Sequence, residues 1–267
     1  MPVIERDGLR IDYLEEGAGT PVVLLHSSVS GNRQWKRLVQ DLKDRYQVIA
    51  LNLFGYGETT PWRGPEPQTL ADQARLVQLL VPEGPLNLVG HSFGGAVAMK
   101  AAALLGSRVS RLVLLEPNPF YLLRAHRRDA AYAEIAALRD FVREHGAKGE
   151  WHTVAERFAE YWNASGAWQA MPEDRRAAFA RALVPNYHEW DAVMNENTPL
   201  EQWSAIRAAT VVLCGRATRR PVLEMAELLR GALPHWSFAA VEGGHMAPLT
   251  HPDLVNPLVA KFLEKDR

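Results

Sequence analysis

The sequence predicts an α/β fold: a mostly parallel, twisted sheet flanked by helices on both faces. Three observations carry that expectation. Several short runs are apolar without alternation, as strands buried on both faces are. Stretches of helical period separate those runs. A long span, residues 117–206, contains no such run, so a block of helices must interrupt the sheet after its sixth strand.

In chain order, PVIER and LRIDYLEEG alternate apolar and polar residues and end in glycine turns, which reads as an antiparallel hairpin. PVVLLH (Pro21–His26), YQVIALNL (Tyr46–Leu53), LNLVG (Leu86–Gly90), VSRLVLLE (Val109–Glu116) and ATVVLCG (Ala209–Gly215) follow as buried strands. TLADQARLVQLL is helical, with Thr69 as N-cap and Asp72 completing a capping box. GGAVAMKAAALL is apolar on most sides and reads as a buried helix. In THPDLVNPLVAKFL, Thr250 and Asp253 suggest a second capping box, and Pro257 a kink or a late start. The division expected is a core of residues 1–116 and 207–267 with a helical cap at 117–206. That cap holds 13 of the 23 aromatic residues, enough to give a pocket apolar walls besides packing itself.

Lys plus Arg total 30 against 31 Asp plus Glu, which gives no argument for nucleic acid as a partner. RAHRRD (Arg124–Asp129) reads as a solvated helix face. Cys214 follows Val-Val-Leu as a small buried residue, so disulfides play no part. No apolar h-region or membrane-length run occurs, which makes a cytoplasmic, membrane-free location the expectation. No motif calls for a metal or a cofactor, and a homodimer is allowed.

One motif decides the chemistry. Gly90-His91-Ser92-Phe93-Gly94 fits G-x-S-x-G between an apolar strand and an apolar helix. A serine on such a sharp strand-to-helix turn needs small neighbours two residues away. The turn lifts its hydroxyl above the sheet edge, at the positive end of a helix. With this context the chain resembles the α/β-hydrolase superfamily over nearly its whole length. VVLLHSSVSGNRQW is similar to the family's strand and His-Gly loop, and LNLFGYGET to its next glycine-rich turn, with Asn52 where aspartate is frequent. VEGGHMAPLTHPDLV is similar to its histidine loop.

The resemblance implies Ser92 as nucleophile, His245 as general base, and an oxyanion hole from the N–H of Phe93 and a donor after His26. Ser28 is the choice for that donor, with Ser27 as the alternative because it stands where glycine is usual. In most members an aspartate three residues after the glycine ending the seventh strand completes the triad. Here that position is Thr218, a plain loop residue. Some families of this fold move the acid to the preceding strand, where this chain has Glu116. Glu242 and Asp253 are rivals that suit solvent or a helix cap better, and a dyad without an acid is a further alternative. His251 reads as a helix-start residue.

A serine at the elbow argues against the alkyl-enzyme chemistry of haloalkane dehalogenases and soluble epoxide hydrolases, which use aspartate there. Acyl transfer to water is the natural reaction, on a small or medium, largely uncharged carboxylic ester. The partner is therefore a small-molecule acyl substrate. Arg124, Arg127 or Arg128 could place a carboxylate-recognising group at the cap entrance; an arginine facing the pocket would favour the alternative, hydrolysis of a carbon–carbon bond in a ring-cleavage product, and perhydrolysis is a third variant. A non-catalytic ligand-binding protein on the same fold is the alternative from another class.

Overall fold

The structure, a computed structural model, describes residues 2–81, 83–163 and 165–264. Eight strands form one sheet: β1 (Val3–Arg6), β2 (Leu9–Glu16), β3 (Pro21–Leu25), β4 (Gln47–Leu51), β5 (Leu86–His91), β6 (Val109–Leu115), β7 (Ala209–Gly215) and β8 (Ser237–Val241). Their spatial order is β1-β2-β4-β3-β5-β6-β7-β8. β1 and β2 pair antiparallel, as do β2 and β4; every later pairing is parallel.

The unbroken apolar runs have a simple cause. Side chains alternate between faces, and both faces are covered. Val23, Leu25, Leu88, Leu112 and Leu114 enter one core, while Val22, Leu24, Val89, Val113 and Leu115 enter the other. The first face is covered by α2 (Leu70–Leu80), α3 (Phe93–Leu105) and α10 (Arg220–Ala232), the second by α1 (Lys36–Leu42) and α12 (Pro252–Glu264). Between β6 and β7 come α4 (Tyr121–Ala125), α5 (Asp129–Ala147), α6 (Trp151–Trp162), α7 (Ala167–Ala170), α8 (Glu173–Ala182) and α9 (Asn186–Met194). No strand occurs there among the described residues.

The Thr69–Asp72 capping box forms with both of its hydrogen bonds. The box expected at Thr250 and Asp253 does not. Thr250 ends a short helix, α11 (Ala247–Thr250), and α12 starts at Pro252 and passes through Pro257, so there is no late start. Asp253 instead pairs with Arg37 on α1. β8 carries little sequence signal because it is an edge strand with only Val241 buried. α10 is more legible: Val222, Met225, Ala226 and Leu229 recur at helical spacing and are buried.

This topology places the site. β3 lies between β4 and β5, so the loops leaving β3 and β5 diverge and open a crevice at their carboxyl ends. Leu25 is level with Gly90, and His91 is level with Leu115. The residues that follow these pairs, Ser27 and Ser28, Ser92, and Glu116, therefore emerge side by side.

Candidate active site

Ser92 follows β5, as the N-cap of α3, with φ 54° and ψ −118°, a left-handed backbone that a serine adopts only where the surroundings impose it. The glycines around it are dictated by contact. A Cβ at Gly90 would stand 2.3 Å from the Gly94 carbonyl oxygen, and one at Gly94 would stand 2.3 Å from that of Leu25. The turn is pinned to the neighbouring strand by Ser92 N–H donating to the Leu115 carbonyl at 2.9 Å.

His245 Nε2 lies 2.8 Å from Ser92 Oγ, and its Nδ1 lies 2.6 Å from Glu116 Oε2. All three side chains are buried. The hydrogen-bond network assigns the imidazole tautomer: Nδ1–H donates to the carboxylate, leaving Nε2 to accept from the serine. Gly243, at φ 101°, turns the loop after β8 so that His245 reaches the crevice. From the helical segment Trp162 lays its ring against the imidazole, 4.3 Å between centroids.

Glu116 also has a left-handed backbone, at φ 48°. Its Oε1 accepts the Gly215 N–H at 2.5 Å, and its Oε2 accepts the Thr218 hydroxyl at 2.9 Å. Burial would raise this carboxyl. The hydrogen bond and attraction from His245, with the donors of Gly215 and Thr218, outweigh burial and hold it below its ordinary value. Thr218 is therefore not the plain loop residue its position suggested. It stands where the resemblance puts an acid, and it donates to the carboxylate of Glu116, which follows the neighbouring strand. Glu242 pairs with Arg216 and Asp253 with Arg37, both at the surface; neither hydrogen-bonds to the His245 ring, whose partners are Glu116 and Ser92.

The loop after β3 has one N–H directed away from protein acceptors. Ser27 N–H donates to Gln34 Oε1 at 2.9 Å, and Val29 N–H donates to the Tyr56 hydroxyl at 3.0 Å. Between them, the Ser27 carbonyl accepts from His26 Nδ1–H at 2.8 Å and from Ser30 N–H at 3.3 Å. In a trans peptide the N–H points opposite to the carbonyl, so Ser28 N–H is turned the other way. Among the described residues neither Ser28 N–H nor Phe93 N–H, the first of α3, has a protein acceptor.

The cavity beside these groups measures about 240 Å³. Phe158, Trp162, Phe179 and Trp190 of the helical segment wall it against Ser28, Ser92 and His245. The sequence profile of the alpha/beta hydrolase family matches residues 22–258. The chain belongs to that family. Along nearly its whole length it is similar to the cis-3-alkyl-4-alkyloxetan-2-one decarboxylase of Xanthomonas campestris pv. campestris, 29% identical over 98% of this chain and 94% of that one. It is also similar to the pimeloyl-[acyl-carrier protein] methyl ester esterase of Aliivibrio salmonicida, 22% identical over 94% and 95% of the two chains. The enol-lactonase from Burkholderia xenovorans LB400 shares the fold, with a TM-score of 0.80 at 17% identity, covering 99% of this chain and 100% of that one. This alpha/beta hydrolase is accordingly an enzyme of the hydrolase class.

Asn52, which departs from family habit, has a local explanation. Asn52 donates to Asp12 at 2.8 Å and accepts the Asn32 N–H at 2.7 Å; an aspartate there would face the Asp12 carboxylate. Cys214 is half-buried, and burial together with Glu116 pushes its thiol up to about 12, so it stays protonated. The three arginines do not wall the active-site cavity. Arg124 lies over the Tyr132 ring and borders a separate cavity with Tyr121 and Glu196; Arg127 pairs with Asp129. Among the described residues no cluster of His, Cys, Asp and Glu has metal-binding geometry, and no helix is long and apolar enough to cross a membrane.

Sequence reasoning missed the contacts of Asn118, Gln34, Glu189 and Trp162, and the part that His91 of the motif plays beside them. Asn118 Nδ2 donates to Ser92 Oγ at 3.4 Å, while its buried Oδ1 lacks a partner. Gln34 donates to His91 Nδ1 at 3.1 Å, and His91 Nε2–H donates to the His245 carbonyl at 2.9 Å, so one chain of bonds ties Ser27 to His245. Glu189 accepts from Ser28. Trp162 covers the imidazole. Only tertiary contact identifies these parts.

His26 and His91 are buried as neutral rings. Burial lowers them to about 4 and about 3, from 6.5. The unfolded chain takes up protons near 6.5 that the folded chain refuses. Their stability is thus full above that pH and is lost as pH falls toward the folded values. Each should remove roughly 1 kcal/mol per pH unit, or about 2–4 °C in Tm per kcal/mol for a chain of this size. Thermal unfolding between pH 6.5 and about 5, where carboxylates contribute least, should show the decline. The slope should flatten in His91→Gln; an unchanged slope would remove His91 as its source.

Proposed function

We propose that this chain is a serine hydrolase of small or medium carboxylic esters, acting through an acyl-enzyme. The observation that carries the reading is the buried chain Ser92–His245–Glu116 beside two N–H groups that lack a protein acceptor. In the proposed reaction His245 Nε2 takes the Ser92 proton as Oγ attacks the ester carbonyl. The tetrahedral oxyanion is held by Ser28 N–H and Phe93 N–H. Glu116 stabilises the imidazolium, which then protonates the leaving alkoxide. His245 next activates a water, whose attack on the acyl-enzyme releases the acid and restores Ser92.

Substrate charge follows from the walls. The accessible wall of the cavity is mainly apolar, and among the described lining residues His245 is the only one that could carry positive charge. A carboxylate on the acyl group would be desolvated there with no Lys or Arg to pair with. This supports neutral acyl groups over the dienoates of ring-cleavage pathways. A relative named for an oxetan-2-one, a cyclic ester, makes lactones a natural part of any substrate panel.

The test compares p-nitrophenyl butyrate with mono-p-nitrophenyl glutarate. The neutral ester is expected to have a kcat/KM higher by at least about tenfold, the effect of one unpaired desolvated charge at its smallest. A preference for the acidic ester would reject the neutral-substrate reading. A wild-type protein that turns over neither ester nor lactone would reject the hydrolytic one.

A further inference from the structure

The loop after β3 is held in a shape its sequence does not favour. Val29 has φ 73°, in a region where a β-branched side chain is a true outlier. Two groups from outside the loop hold it there. Tyr56 accepts the Val29 N–H at 3.0 Å, and the Glu189 carboxylate accepts the Ser28 hydroxyl at 2.5 Å. The two holders are themselves joined, because the Tyr56 hydroxyl donates to the other Glu189 oxygen at 2.7 Å. Asn186, one turn earlier on α9, adds a donor at 2.8 Å.

Glu189 is buried beside a largely apolar cavity, and no Lys, Arg or His among the described residues is paired with it. A buried carboxylate with no cation is costly, and an apolar side chain of similar volume would fill the space at less expense. Its hydrogen bonds go to the loop, to Tyr56 that braces the loop, and to its own helix. Among the described residues they have no other destination.

We propose that Glu189, although carried by the helical insertion, is the positioning residue of the oxyanion hole: with Tyr56 it clamps Ser28 and Val29 in the turn that aims Ser28 N–H at the reacting carbonyl. The inference rests on the acyl-transfer reading above. Without the clamp Val29 relaxes to negative φ and the Ser27–Val29 turn shifts. Stabilisation of the oxyanion is lost while the apolar walls that bind substrate remain.

The experiment measures hydrolysis of p-nitrophenyl butyrate, affinity for an alkyl trifluoromethyl ketone and Tm in Glu189→Ala, Glu189→Gln, Tyr56→Phe, Val29→Gly and Glu189→Ala/Val29→Gly. The ketone adds reversibly to Ser92 and places an oxyanion in the hole. Glu189→Ala is expected to lower kcat by about 100-fold, the scale of a lost or displaced oxyanion donor. KM should move by less than about threefold, because substrate binding is spared. Ketone affinity should weaken by a factor similar to the loss in kcat/KM. Glu189→Gln keeps an acceptor for Ser28 but leaves Tyr56 without one, so its loss should be about tenfold, with Tyr56→Phe alike. These milder variants carry the test if the alanine variant does not fold.

Glycine at 29 adopts positive φ freely. Removing Glu189 in the Val29→Gly background should therefore cost at least several-fold less than in wild type. Equal losses in the two backgrounds would overturn the clamp. So would unchanged kcat and ketone affinity in a folded Glu189→Ala protein, or a change confined to KM. A wild type that neither hydrolyses the ester nor binds the ketone would instead overturn the acyl-transfer reading, and the clamp with it.

Discussion

Glu116→Gln is expected to lower kcat for a short aryl ester by about four orders of magnitude in a protein that stays folded. The direction of the amide is fixed by its surroundings. Gly215 N–H lies 2.5 Å from Oε1 and needs an acceptor there, so the glutamine oxygen faces Gly215. The amide nitrogen then faces His245 Nδ1, where it offers protons instead of accepting one. The imidazole must turn to the Nε2–H tautomer, which cannot take the Ser92 proton, and no negative charge remains to stabilise an imidazolium. Thr218 supplies the second half of the test. Its hydroxyl lies 2.9 Å from the carboxylate oxygen that His245 approaches at 2.6 Å. Thr218→Asp in the Glu116→Gln background should therefore recover at least about tenfold, because a carboxylate returns to hydrogen-bonding reach of Nδ1. A loss below tenfold in Glu116→Gln would remove Glu116 from the reaction.

Ser92→Ala is expected to cost more, about six orders of magnitude, because the covalent route is gone and the base has no partner. What remains is the weak catalysis of binding and the two N–H donors, on the order of a thousandfold over water. Intact-mass measurement after exposure to an aryl phosphonate should show one adduct on the wild type and none on Ser92→Ala. An adduct on both would place the reactive group elsewhere, and an adduct on neither would favour a ligand-binding protein.

Much of this was legible in the sequence, for physical reasons that can be named. The parallel strands announced themselves because two cores flank one sheet, and so Val22 and Val23 are both apolar. Ser92 was legible because its turn tolerates only glycine at 90 and 94, which leaves a fixed spacing. Glu116 was legible as an acid at a strand end, once Thr218 was seen to lack a carboxylate. The part played by Thr218 was not, since a donor to a displaced acid looks like any loop hydroxyl. Ser28 is preferred to Ser27 by resemblance alone; what distinguishes their N–H groups, Gln34 accepting one and His26 holding the carbonyl between them, is tertiary contact that sequence does not reveal. Glu189 and Trp162 were invisible for a related reason. They lie on helices whose order in the chain does not reveal which residues lean over the sheet edge.

The left-handed backbone at the site bears on the stability of the whole fold. Among the described residues five that are not glycine have positive φ, and three of them, Val29, Ser92 and Glu116, belong to the site. Each such residue costs on the order of 1–3 kcal/mol, against roughly 5–15 kcal/mol for the stability of a whole domain. Glycine at any of the three would relieve that burden through a single substitution. The chain instead carries a serine, a glutamate and a cavity-wall valine where its own backbone would favour glycine, so the crevice lowers the stability that the rest of the fold supplies.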